Sequence, residues 1–190
     1  LSSGSALGWN CGPLLISKEY FELGSIDKKK IGIPGKYTTA NFLFMSEFPN
    51  VEIVQSMPFN EIESQILSGS IDAGVIIHEN RFTYKEKGLC KLMDMGESWQ
   101  DKTGYPIPLG GIAIKKSITE EIAMKVNRSI KRSVEYALRN PTSSKDFVRS
   151  NAQELDEIVI DNHIELYVNE YTVSLGQTGL DAIKYMLSIA

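Results

Sequence analysis

The segment Asp72-Ala73-Gly74-Val75-Ile76-Ile77-His78-Glu79 decides how the rest of the chain is read. Its apolar run from 73 to 77 lacks polar alternation, as expected of a strand buried on both faces. Such a strand belongs in an α/β sheet covered by helices, and this one ends on a histidine. Residues just beyond the carboxyl ends of strands in open α/β sheets meet ligands. An imidazole takes a proton at cellular pH, so His78 is a candidate general base. It reads equally as a histidine that satisfies a turn or packs at a strand end. Glu79 could orient it, although neighbours in a strand point to opposite faces.

Toward the N-terminus the same grammar repeats. Gly12-Pro13 precedes a short buried strand at 14–16, and 30–34 reads as a second strand. Gly35-Lys36-Tyr37 makes a turn, and a helix from Thr38 to about Glu47 carries Phe42 and Leu43 inward. A third strand covers 51–54. Pro58 opens a helix with Phe59, Ile62 and Ile66 on one face, which Ser68-Gly69-Ser70 stops. Short apolar runs alternating with helical patterns predict an α/β fold.

The turn Pro34-Gly35-Lys36-Tyr37-Thr38-Thr39-Ala40 is the second candidate site. A strand runs into a glycine and then into a helix that starts on two threonines. Unpaired amides and the positive end of the helix dipole suit a carboxylate or phosphate there. Gly35, Thr38 and Thr39 are therefore candidate substrate-binding residues. The Walker spacing is absent. The same residues also read as an ordinary N-cap.

Toward the C-terminus, two prolines and three glycines in 104–111 suggest an ordered crossover, followed by a strand at 112–114. Ser117 and Glu120 have capping-box spacing. They open a helix with Ile122, Val126, Ile130, Val134 and Ala137 on one face, ended by Asn140-Pro141. A short helix covers 143–148. Another runs from about His163 to Ser174, with Gly176 as its stop, and a last one covers 180–187. His163 at a helix start reads as a cap or an interface residue. Asp94 and Glu97 read as lining a turn near Trp99. Residues 17–105 form a middle α/β lobe, and 1–16 with 106–190 form a second, discontinuous one. Crossovers near 14–17 and 105–111 would place a ligand cleft between them.

The 190 residues are 42% hydrophobic and 23% charged, enough apolar material for real cores. A net charge of −4 argues against a nucleic-acid partner, and Lys28-Lys29-Lys30 reads as a solvated strand start. No window reaches the ~18–20 apolar residues of a membrane span. Cys11 and Cys90 have no partner at metal spacing and read as two thiols, with a single disulfide as the other option. The histidines lack a third ligand at suitable spacing, so no metal is expected. No signal peptide opens the chain. The sequence is expected to begin inside a longer protein, because residues 1–12 read as the middle of a glycine-rich loop.

Taken together, the turn at 34–40, the strand and histidine at 72–79, and Pro106-Ile107-Pro108-Leu109-Gly110-Gly111 resemble the 1,4-dihydroxy-6-naphthoate synthase family. Asn151-Ala152-Gln153-Glu154, residues 163–169 and Ser3-Gly4-Ser5-Ala6-Leu7-Gly8 extend the resemblance over essentially the whole chain. It implies the two-lobed fold of type II periplasmic binding proteins, used by a cytoplasmic enzyme of the futalosine route to menaquinone. It implies a lyase acting on cyclic dehypoxanthinylfutalosine, with His78 matching the family's base and Thr38 and Thr39 its substrate-binding segment. No organic cofactor is expected. The partner is an anionic small molecule rather than nucleic acid or membrane, and a homodimer stays open. The family carries a further N-terminal stretch with a serine-containing substrate loop that this sequence lacks, so the N-terminal part of one lobe is expected to be missing. The alternatives are a solute-binding protein of the same fold and a sister enzyme resembling chorismate dehydratase.

Overall fold

Short apolar runs that bury both faces set the order of the strands. The computed structural model of the chain describes residues 1–152 and 156–190, so part of the segment 151–154 lies outside the described residues. The strands are β1 (Ala6–Gly8), β2 (Leu14–Ser17), β3 (Lys30–Ile33), β4 (Ile53–Ser56), β5 (Ala73–Ile76), β6 (Cys90–Asp94) and β7 (Ile107–Gly110). The helices are α1 (Thr39–Glu47), α2 (Ile62–Leu67), α3 (Asn80–Thr83), α4 (Met95–Thr103), α5 (Glu120–Arg139), α6 (Lys145–Asn151), α7 (Glu157–Tyr167), α8 (Glu170–Val173) and α9 (Gly176–Ile189). Among the described residues, no helix is long and apolar enough to cross a membrane.

The chain divides into two compact units, Gly12–Gly104 and Leu1–Cys11 with Tyr105–Ala190. The first holds a five-stranded sheet in the order β4-β3-β5-β2-β6. β3 pairs in parallel with β4 and with β5, and β2 runs antiparallel between β5 and β6. Every residue of β2 and β5 is buried. The expected lobe boundary between 16 and 17 would cut β2; this strand is sandwiched between two others, and its unit begins at Gly12. Leu14, Ile16, Ile62, Ile66, Ile71, Ile76, Tyr84 and Leu89 form the core, with Met57 against it.

Glycine sets how closely α2 approaches this sheet. A β-carbon on Gly74 would lie 2.3 Å from Ile62 Cγ2 and 3.2 Å from Ile66 Cδ1. The helix therefore rests on the bare backbone of β5. The helix expected from Pro58 starts with a 3-10 turn, Phe59–Glu61, and becomes α-helical at Ile62. The strand expected at 51–54 is shifted to Ile53–Ser56. In α1 the buried residues are Ala40, Leu43 and Phe44 rather than Phe42.

The second unit holds an antiparallel pair, β1 with β7. Residues 106–110, expected as a crossover, supply β7, whereas 112–114 form no strand. The proline at 108 is tolerated because β7 pairs on one side only. Leu7, Leu175 and Ala182 pack together, with Tyr105, Tyr171 and Ile183 around them. Buried serines thread β1 into place: Ser3 Oγ donates to the Val173 carbonyl at 2.7 Å and Ser5 Oγ to that of Tyr171 at 2.6 Å. Asn127 Oδ1 on α5 accepts from the amides of Ser2 and Ser3. The N-cap of α5 is Thr119, so the expected capping box at Ser117 is not the helix start. Ile122 and Val126, expected inward, are 49% and 37% exposed. The single helix expected over 163–174 is two helices, α7 and α8, and Gly176, expected as a stop, opens α9 with φ +60°.

Two consequences for stability follow from the first unit. Gly74→Ala must push Ile62 off the sheet, and overpacking of this kind costs about 1–3 kcal/mol; a lowered urea midpoint in equilibrium denaturation is the expected result. Tyr84 is 4% exposed, and burial pushes its phenol above the ordinary tyrosine value. Arg81 pulls it the other way, while Asp94 and Cys90 add to the rise. The folded chain keeps this proton after the unfolded chain has released it. The contribution is whole below the ordinary tyrosine value of about 10 and is lost as pH rises past it. Unfolding free energy measured from about pH 9 to about pH 11 should fall, and Tyr84→Phe should flatten part of that fall.

Candidate functional site

All four chain reversals that follow β3, β4, β5 and β6 leave the sheet at one edge. β3, β4 and β5 are mutually parallel, and β6 joins them because β2 is antiparallel to both β5 and β6. That edge carries Gly35 through Thr39 after β3, Phe59 after β4, His78 after β5 and the start of α4 after β6. Carboxyl edges of this kind are where open α/β sheets bind ligands.

The turn after β3 is wired by its own side chains. Gly35 has φ +144°, a conformation that side chains resist, and a β-carbon there would sit 3.2 Å from Thr38 Cγ2. Thr38 Oγ1 donates to the Gly35 carbonyl at 2.7 Å and accepts from the Asn41 amide at 3.1 Å. Its hydroxyl is thus used as the N-cap of α1. Asn41 Nδ2 donates to the Lys36 carbonyl at 2.9 Å, and Asn41 Oδ1 is buried without a hydrogen-bond partner. Thr39, half-buried, is the first helical residue, and its amide and that of Ala40 precede the first intrahelical bonds. Tyr37 is 94% exposed at the tip of the turn, with Lys36 Nζ 5.7 Å from its ring centre.

The start of α4 on the same edge differs in charge. Asp94 Oδ1 accepts from the amides of Gly96 and Glu97, so a carboxylate already occupies that helix terminus. The neutral cap of α1 leaves the positive end of its dipole for an outside anion. Sequence spacing read Asp94 as part of a turn; it is the N-cap of α4.

His78 stands two residues beyond β5 with φ +58°, in the left-handed region. Its side chain is exposed. Its ring meets Phe59 edge-on, centroids 5.2 Å apart and planes at 68°. β4 and β5 flank β3, so their axes lie roughly 9–10 Å apart. His78 and Phe59, from the ends of the two strands that flank β3, thus bring their rings together. His78 and the turn that holds Gly35, Thr38 and Thr39 share the carboxyl edge of the sheet. Sequence periodicity placed Phe59 on the inward face of a helix with Ile62 and Ile66, and its contact with His78 had no sequence signal. Glu79 is the N-cap of α3 with helical backbone, so strand alternation does not govern its direction.

Behind the histidine, consecutive side chains are anchored. Asn80 Nδ2 donates to Glu63 Oε2 on α2. Arg81 pairs with Asp94 Oδ2 at 2.6 Å and donates to the Gly12 carbonyl. Glu63, Asn80, Arg81 and Phe59 are members of this neighbourhood that sequence reading did not single out. His163 belongs to the other unit, inside α7 rather than at a helix start, with its ring 4.5 Å from that of Tyr167.

Known proteins place this geometry in a family. A family profile described as "Menaquinone biosynthesis" matches residues 1–190. A protein of Streptomyces coelicolor named 1,4-dihydroxy-6-naphtoate synthase is 40% identical over the whole chain, which covers 68% of that relative. One of the same name from Thermus thermophilus is 35% identical, with 69% of its length covered. A solved structure of a protein from Archaeoglobus fulgidus superposes with a TM-score of 0.90 at 31% identity, over 100% of this chain and 70% of that one. The periplasmic sulfonate-binding protein SsuA from Methylobacillus flagellatus shares the fold alone, with a TM-score of 0.63 at 10% identity over 100% of this chain and 61% of its own. The relatives' names indicate an enzyme of menaquinone biosynthesis on a periplasmic-binding-protein fold of type II. On this full-length match the chain belongs to the menaquinone-biosynthesis family of 1,4-dihydroxy-6-naphthoate synthases.

Proposed function

We propose that the protein carrying this chain is a cytoplasmic lyase that converts cyclic dehypoxanthinylfutalosine to 1,4-dihydroxy-6-naphthoate, with His78 as general base. The observation that carries this reading is an exposed His78, its ring against Phe59, on the same carboxyl sheet edge as a helix start with a neutral cap. Gly35 shapes the turn, and Thr38 holds it closed. Thr39 and the first amides of α1 grip an anionic or hydroxyl-bearing part of the substrate. His78 takes a proton from a sugar hydroxyl; the oxygen's electron pair forms a carbonyl as the adjacent carbon–carbon bond breaks, that bond's pair passes into the ring system that becomes the naphthoate, and the sugar leaves as the carbonyl fragment. A base placed within hydrogen-bond reach contributes about 10²–10⁴-fold in rate.

The direct test is incubation of the full-length protein with cyclic dehypoxanthinylfutalosine, followed by mass spectrometry for the naphthoate. A ligand that binds and emerges unchanged would establish a solute-binding protein instead. In the same assay His78→Ala should lower kcat by about 100-fold or more, and parental turnover in that variant would remove His78 from the chemistry. Thr39→Ala should weaken substrate binding by about tenfold, the loss of one charge-assisted hydrogen bond.

The backbone at His78 generates a separate expectation. A side chain in the left-handed region costs about 1–2 kcal/mol that glycine avoids. His78→Gly should therefore unfold at a temperature equal to or above the parent's while losing turnover, and His78→Ala should gain no stability. A thermal midpoint for His78→Gly below that of His78→Ala would contradict a strained backbone at this position.

A further inference from the structure

Glu63 is a charged residue in an apolar core. It is 5% exposed, on a helix whose neighbouring residues Ile62 and Ile66 pack against the sheet. Burying a carboxylate is costly, and a well-packed apolar group at such a place often serves stability as well or better. Its partners say what the carboxylate is placed to hold. Oε2 accepts from Asn80 Nδ2 at 2.5 Å and from Lys87 Nζ at 2.6 Å. Asn80 is itself 8% exposed, and Lys87 is 45% exposed and closes the site from the solvent side. Oε1 is buried with no hydrogen-bond partner. The group is thus built on one oxygen shared between a buried amide and a lysine that reaches in from solvent.

That amide belongs to the residue two positions after His78. α3, which begins at Asn80, has four residues, too few to hold its own direction in water. The left-handed backbone of His78 persists only if its surroundings enforce it. Asn80, two residues after His78, is tied to α2. The other end of the same helical segment begins at Phe59, whose ring meets the imidazole. Glu63 therefore joins, through one short segment, the contact on the ring and the anchor on the backbone.

We infer that Glu63 and Asn80 are positioning residues that aim His78, a role that rests on His78 acting as the base. They touch neither substrate nor reacting atoms. Their carboxylate–amide bond sets where the imidazole stands, and proton transfer is sensitive to that placement: a displacement of about 1 Å can cost about 100-fold in rate.

The experiment separates aiming from mere support by making the pair apolar. In the full-length protein, Glu63→Met with Asn80→Leu replaces the polar pair with core-filling side chains, while Lys87 retains access to solvent. The expected outcome is a thermal midpoint near or above the parent's, a KM within about threefold and a kcat lowered by about 30-fold. Asn80→Ala alone, assayed as folded protein, should lower kcat similarly. Glu63→Gln, which keeps an acceptor for Asn80, should restore kcat to within about threefold of the parent. A kcat that follows the thermal midpoint across these variants, or parental kcat in the apolar pair, would overturn the inference. His78→Ala is run beside them. If it is inactive while the apolar pair turns over normally, only the aiming role fails. If His78→Ala itself keeps parental turnover, the base reading fails and the aiming role falls with it.

Discussion

A histidine forced into a left-handed backbone at the end of β5 is the constraint on which the site depends. Among the described residues, positive φ falls on six glycines and on only two other residues, Asn10 and His78. Asparagine tolerates that region through its short polar side chain. A ring at the other position keeps its crowding for a reason that glycine would not serve. The left-handed turn takes the chain away from β5, and the imidazole meets Phe59 arriving from β4. Gly74 makes this possible from within the sheet. By letting Ile62 rest on the backbone of β5, it brings α2 close enough to hold both Phe59 and Asn80.

The parts of this arrangement set by local chemistry were legible in the sequence. Runs buried on both faces announced β2, β3 and β5, and the glycine turn with two threonines announced the start of α1. The position of His78 at a strand end followed from the same run. Less legible were features that depend on partners distant in sequence. β1 and β7 pair across about a hundred residues, and Pro108 in β7, with Pro106 just before it, disguises the strand as a crossover. β6 is a mixed polar and apolar segment that becomes a strand because β2 lies beside it. The Phe59 contact was hidden because a 3-10 turn breaks the helical period on which its inward assignment rested. Glu63 carried no signal at all, since a glutamate in an amphipathic helix ordinarily faces water.

Burial also sorts the charges. The pairs on α5 and those linking α6 to α7 have both partners substantially exposed, and pairs of that kind contribute about 0–1 kcal/mol. Two pairs in the five-stranded unit differ. Asp94 is nearly sealed from solvent, caps α4 with one oxygen and receives Arg81 on the other. Glu63 is equally buried and receives Asn80 and Lys87. Both bonds reach α3, from opposite sides of the segment that follows His78. The two ion pairs of this unit with the most buried carboxylates thus both reach the segment that follows the strained backbone.

This concentration distinguishes what binding and chemistry each require from the same scaffold. Solute-binding proteins share the fold at about a tenth of identical positions, so the common architecture accounts for a ligand-facing sheet edge and not for a reaction. An anion grip tolerates movement: amides at a helix start and a threonine hydroxyl keep most of their attraction when a group shifts by a few tenths of an ångström. The turn at 35–38 is built to that standard, held by Thr38 and Asn41 bonding within the same short segment. Proton transfer tolerates much less, because donor and acceptor must come within about 2.6–3.2 Å along one direction. The segment behind His78 meets the stricter standard with two successive anchored side chains, one tied to α2 and one to the start of α4. On the proposed reading, an edge that only held a ligand would need its long-range anchors behind the threonines, where the ligand's charge would sit. The buried ion pairs of this unit reach instead the segment after the imidazole, where a base would need them.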